Sequence, residues 1–199
     1  MDMDNNLSAE NSVSKWVLDP SHSSVTFSVR HLMISKVKGQ FTRFTGEAEI
    51  REGGRGKLVG IVDVSSITTN DIERDTHLLS EDFFNVEKYP TMVFEVDEWE
   101  APKETEEVVL HGDLTIRDVT KPVTFKGELG GVVVDGYGNT KAAVELTATI
   151  NRGDWGLNWN SPLETGGVLV GDEVTISIDA QAVLAEGGSS DHTPEPMLV

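Results

Sequence analysis

Apolar side chains recur at every second position over most of this chain, and only an extended backbone brings residues so spaced onto one face. In SVTFSVRH, Val25, Phe27 and Val29 share a face with His31, while Thr26, Ser28 and Arg30 take the other. The alternation returns in Phe44, Gly46, Ala48 and Ile50, in Met92, Phe94 and Val96, and in Val108, Leu110, Gly112, Leu114 and Ile116. It continues through Val123, Phe125 and Leu129, then Ala142, Val144, Leu146, Ala148 and Ile150, and ends with Val174, Ile176, Ile178 and Ala180. With LVGIVDVSSI (58–67), apolar on both faces, the count is roughly eight long strands.

The links between them carry turn chemistry: EGGRG at 52–56, Pro102, DGYGN at 135–139 and SPLETGG at 161–167. Strands joined so closely pair antiparallel. One helical interruption is predicted from Asp71 to about Val86, with Asn70 as cap, Glu73 at the reciprocal capping position, and Ser80 capping a second turn that carries Phe83 and Phe84. A meander of this kind makes either a two-sheet sandwich or a barrel. Closure removes the exposed edges that long strands present, so the expectation is an all-β antiparallel barrel with one short helical lid.

At 199 residues the chain suits one domain, placed at 13–185, with polar tails at 1–12 and 186–199 expected to be disordered. Acidic side chains outnumber basic ones 34 to 16, for a net charge of −18; nucleic acid is excluded as partner, because phosphate binding needs a basic footprint. The absence of cysteine excludes disulfides, thiol catalysis and zinc fingers. MDMDNNLSAENSVSK has neither the basic nor the apolar region of a secretory signal, and no apolar run is long enough for a membrane span. A cytoplasmic location is the expectation.

Chemistry-bearing clusters are few. No two histidines stand at metal-ligand spacing, so no metal is expected. Asp19, Ser21, His22 and Ser23 lie together without the strained Gly-x-Ser-x-Gly turn of a hydrolase. In FEVDEWE (94–100), Glu95, Asp97 and Glu100 approximate paired glycosidase carboxylates, yet alternation puts Glu95 and Asp97 on the face opposite Met92, Phe94 and Val96. His31 extends an apolar face, either as a hydrogen-bonded core residue or as a ligand contact. NRGDWGLNWN (151–160) reads as a rim segment, with Trp155 and Trp159 closing one barrel end as a plug with an Arg152–Asp154 ion pair, or touching ligand. RDTHLLSEDFF (74–84) concentrates Arg74, Asp75 and His77 ahead of Leu78, Leu79, Phe83 and Phe84 on the predicted lid.

Four segments together resemble the YceI-like family of lipocalin-like polyisoprenoid-binding proteins: WVLDPSHSSVTFSVRHLMISKVKGQF (16–41), SSITTNDIERDTHLLSEDFFNVEKYPTMVFE (65–95), GDLTIRDVTKPV (112–123), and INRGDWGLNWN with VGDEVTISIDAQA (150–182). Asp118 stands where the family often has glycine. The resemblance implies an extended eight-stranded barrel with a lipophilic tunnel, no cofactor other than a bound isoprenoid lipid, and, as in many relatives, a homodimer. The expected function is binding, and carriage or storage, of a long polyprenyl or quinone-like chain. Two other readings stand beside it: a lipocalin-shaped enzyme acting on such a ligand, and a ligand-free stress-response or interaction barrel packed solid. Residues expected to line the tunnel are Phe27, Val29, His31, Phe41, Phe44, Val62, Phe94, Leu114, Val144, Leu146 and Ile176. On the lid, Arg74 and Asp75 either pin the helix or meet an anionic head group.

Overall fold

A computed structural model describes residues 13–52, 54–101, 107–162 and 167–185. The expected tails, Pro102 and most of the 161–167 turn lie outside them. Eleven strands and one helix follow in order: β1 Val13–Leu18, β2 Ser24–His31, β3 Ser35–Phe41, β4 Phe44–Arg51, β5 Arg55–Asp63, β6 Ile67–Thr68, α1 Ile72–Leu79, β7 Thr91–Glu100, β8 Glu107–Ile116, β9 Val119–Val134, β10 Thr140–Asn151 and β11 Val170–Ala185. Pairing runs β1-β4-β5-β7-β8-β9-β10-β11, and β11 returns to β1, so eight antiparallel strands close a barrel.

Two of the barrel's long staves are broken. Asp19 accepts the amide hydrogen of Ser21 and Pro20 begins a single 3-10 turn, so the chain leaves β1 and resumes as β2 along the same partner. β11 thereby pairs with β1 over its last residues and with β2 from Val170 to Asp179. The second break falls between β3 and β4, where the amides of Thr42 and Arg43 donate to the backbone and side chain of Ser66. Past the break, β3 and the two-residue β6 extend the sheet beyond β2.

The strand predicted at 58–67 ends at Asp63, whose carboxylate accepts the Ser65 amide and starts a 3-10 turn over Val64–Ser66. The helix is also shorter than predicted, and its cap is Asp71 rather than Asn70. The Asp71 carboxylate accepts the Arg74 amide at 3.1 Å, while Asn70 is turned to φ 61°. The segment after Ser80 is a separate turn, in which the Phe83 amide donates to Ser80 and the Phe84 amide to Leu78.

Packing is uneven around the ring. Inward side chains of β8 and β9, among them Val108, Leu110, Leu114, Val123 and Phe125, are buried together with Trp155 and Leu157. Gly112 does not open onto empty space: a Cβ there would come within 2.7 Å of the Phe94 ring, which packs at 4.9 Å on Phe125. The inward residues of β2, β4 and β5 are mostly only half-buried, because the surface they keep faces the barrel interior.

Arg152 fastens the lid end of the barrel. It is 5% exposed, and its guanidinium donates to the carbonyls of Leu157, Trp159 (2.9 Å), Val170 and Gly171 (2.9 Å). Its ion-pair partner is Asp172 at 3.4 Å, not Asp154 as the spacing suggested, because β11 approaches in space where the neighbouring chain does not. Burial pushes the guanidinium pKa down and the Asp172 charge works the other way. Replacing Arg152 by Met leaves those carbonyls without a donor, and Lys cannot reproduce a planar fork; both variants should lose about 2–4 kcal/mol in urea unfolding. A loss below about 0.5 kcal/mol, the level of ordinary surface substitutions, would show that the pin is dispensable.

Candidate functional site: an apolar tunnel beneath a pinned lid

A cavity of about 700 Å³ runs through the barrel, within the range of roughly 300–1,000 Å³ usual for small-molecule sites. On β11 its lining extends from Val170 through Val174, Ile176, Ile178 and Ala180 to Ala182, a span of roughly 40 Å along the strand at about 3.3 Å per residue. Each of the eleven residues expected on the tunnel wall borders this cavity: Phe27, Val29 and His31 from β2, Phe41 and Phe44 around the β3–β4 break, Val62, Phe94 and Leu114 from β5, β7 and β8, and Val144, Leu146 and Ile176 from β10 and β11. Small residues keep the space open. Gly60 is the clearest case, since a Cβ placed on it would touch nothing within 4 Å.

The end away from the lid includes two tryptophans that the sequence pattern did not reveal. Trp16, Ile50, Leu58 and Trp99 border the cavity there. Trp99 was hidden by a β-bulge: Leu58 pairs with Val96 but Gly56 with Trp99, so the alternation from Met92 to Val96 slips and returns Trp99 to the interior. Trp16 and Leu18 also alternate, but a two-member repeat in a six-residue strand is too short to signal a face.

Thr69 is the peg on which the lid hangs. Its hydroxyl accepts from Arg74 Nε at 2.7 Å and donates to the Asp75 carboxylate at 2.5 Å. Its amide donates to the same carboxylate at 2.8 Å and its carbonyl accepts from Arg74 Nη2 at 3.0 Å. Thr69 is itself buried. Burial alone would raise the Asp75 pKa, but the hydrogen bonds from Thr69 and Thr68 and the Arg74 charge outweigh it and hold the carboxyl below its ordinary value. Asp75 does not border the cavity, whereas Arg74 does, with its donors already directed at Thr69.

The far side of the lid is held by aromatic packing. His77 hydrogen-bonds Asp82 through Nε2 at 2.8 Å, and its ring stands edge-on to Phe83 at 5.2 Å and to Trp159 at 4.6 Å. His77, Leu78, Phe83, Phe84 and Trp159 all border the cavity. Trp159 is placed by Arg152 through its carbonyl, so lid, rim and β11 form one connected assembly. Trp155 belongs to the wall instead. It is 2% exposed, its indole N–H donates to the Leu114 carbonyl at 3.0 Å, and it does not border the cavity.

Neither catalytic look-alike is assembled. Ser21 Oγ and the Asp19 carboxylate both meet the same nitrogen of His22, Nδ1, at 3.1 and 2.7 Å, whereas a triad needs them on opposite nitrogens. Glu95 and Asp97 are exposed on the outside of the barrel.

A carboxyl with a lowered folded pKa stabilises fully above its unfolded value, here 3.8, and the contribution fades as pH falls through the lower folded value. Lid amides 74–80 should therefore keep their hydrogen-exchange protection down to about pH 4 and lose it progressively below that. Thr69→Val and Asp75→Ala should abolish that protection at neutral pH, each costing about 1–3 kcal/mol locally. Undiminished protection in both variants would show that the lid is held by its apolar side chains alone.

The YceI-like domain matches residues 16–182 of the chain. UPF0312 protein SA2479 of Staphylococcus aureus (strain N315) is 37% identical over 177 residues, 87% of this chain and 100% of that protein. The YCEI protein of Campylobacter jejuni is 28% identical, with a TM-score of 0.62 over 79% of this chain and 90% of its own. A polyisoprenoid binding domain from Saccharophagus degradans, 14% identical, shares the fold at a TM-score of 0.64, covering 85% and 98% of the two chains. A domain match over nearly the whole described barrel, joined to full-length relatives above one-third identity, places this chain in the YceI-like family.

Proposed function

We propose that this protein binds a long isoprenoid or similar apolar chain, a polyprenyl or quinone-like lipid, in the barrel tunnel, and carries or stores it. The observation that supports this most is the tunnel itself: a continuous, apolar-lined space of about 700 Å³ in a barrel whose remaining interior is packed. Such a space weighs against the barrel packed solid. The fold shared with a polyisoprenoid binding domain of Saccharophagus degradans points to the same ligand class.

Contact area supplies the affinity. About ten buried methylenes contribute about 8 kcal/mol before association costs, so micromolar binding requires a chain that buries more than about ten. The arginines nearest the lid add little to a head group, because Arg74 and Arg152 already serve Thr69 and four backbone carbonyls. The lid closes over the tail, and release requires the Thr69 peg or the His77–Trp159 contact to open.

Gly60→Phe tests the reading, since it places a ring in the open tunnel without displacing a neighbouring atom from the Cβ position. The variant should keep its thermal midpoint and lose at least about tenfold in affinity for a fluorescent prenyl chain, the equivalent of about two methylenes of contact. Unchanged affinity in a folded variant would place the ligand elsewhere.

A further inference from the structure

The β2–β3 hairpin ends in a turn built against ordinary preference. Leu32 and Met33 occupy consecutive left-handed conformations, φ 52° and 58°, and the Ile34 amide closes the turn on the His31 carbonyl at 3.2 Å. Two consecutive left-handed residues in a hairpin turn favour Asn-Gly, because a side chain on each is strained there. This chain instead puts apolar side chains at the tip and leaves them in solvent: Met33 is 60% exposed and Ile34 82%.

Charge is distributed around that tip in a way found nowhere else in the chain. From residue 20 to residue 46 there is no aspartate or glutamate, although the whole protein has 34, and the interval carries Arg30, Lys36, Lys38 and Arg43. Arg43 is engaged by Asp63 at 2.9 Å. Arg30 and Lys36 are register partners, Lys38 lies opposite Ser28, and all three cations are exposed. The ion pairs among the described residues use other cations. Of the two acids that begin β11 beside them, Asp172 pairs with Arg152 at 3.4 Å and Glu173 is exposed.

We propose that this hairpin docks the protein on an anionic lipid bilayer, with Met33 and Ile34 entering the headgroup boundary and Arg30, Lys36 and Lys38 meeting lipid phosphates. An apolar tip followed within a few residues by cations matches the order in which a bilayer presents acyl chains and headgroup charge. A net charge of −18 repels such a surface at long range, so contact is confined to this one element and fixes the orientation. That orientation puts the tunnel mouth against the lipid: Arg30 and His31 border the cavity, and Leu32 is hydrogen-bonded to Leu169, which borders it too. A tunnel ligand could then pass between bilayer and barrel without crossing water.

Docking is read on the protein alone, with no prenyl ligand added, so its failure and that of the tunnel reading are separable; Gly60→Phe should still dock. The experiment is flotation with phosphatidylcholine vesicles, with and without phosphatidylglycerol as one third of the lipid. Wild-type protein should float with the anionic vesicles, stay behind with the neutral ones, and be released by high salt. Met33→Asn/Ile34→Ser, in which Asn suits the left-handed position, and Lys36→Gln/Lys38→Gln should each cut partitioning at least about tenfold with unchanged thermal unfolding. Val133→Ser/Val134→Ser, exposed on the β9–β10 hairpin at the opposite end, should change nothing. Wild type that floats with neither vesicle, tip variants that float as well as wild type, or an equal loss in the Val133/Val134 variant would overturn the proposal and leave a protein partner as the occupant of the hairpin.

Discussion

The structure rests on a sheet that closes on itself around less side-chain volume than its circumference could hold. β1 pairs with β4 on one side and with the end of β11 on the other, completing the ring that leaves no free edge among its eight strands. Inside, aromatic and branched residues fill the sector under β8 and β9, while Gly60, Ala48, Ala142, Ala180 and Ala182 leave the opposite sector hollow. Backbone pairing around the full ring keeps the hollow sector from collapsing onto the filled one.

Polar chemistry is spent on holding that shell in shape. Arg152 joins the carbonyls of two chain segments at the lid end and thereby seats Trp159, which in turn packs on His77 of the lid. Arg74 and Asp75 converge on one buried threonine. The cluster that looks most like a reactive centre in the sequence thus fastens the helix, and in the proposed function the binding surface is the apolar wall behind it. A site with this division of labour discriminates ligands by shape and length more than by charge.

Much of this was legible in period-two alternation, because inward residues of a barrel must be apolar at every second position. That rule identified the face to which Phe27, Phe94, Leu146 and Ile176 belong. It failed where the backbone breaks step. The bulge beside Gly56 concealed Trp99, the 3-10 turns at Pro20 and Val64 cut single patterns into separate strands, and β3, whose SKVKGQF mixes lysines with apolar residues, did not stand out. Interactions across space were also out of reach: nothing in RGDWG tells that Arg152 seeks Asp172 on a distant strand, or that Asp71 wins the cap over Asn70.

The most direct test of the account is native mass spectrometry of the purified protein, followed by solvent extraction and mass analysis of what is released. A stoichiometric apolar adduct of isoprenoid mass, lost on extraction, is the predicted result. Protein that carries no adduct, and that takes up no polyprenyl or quinone lipid when one is offered, would contradict the tunnel as a ligand site and leave the barrel as a scaffold.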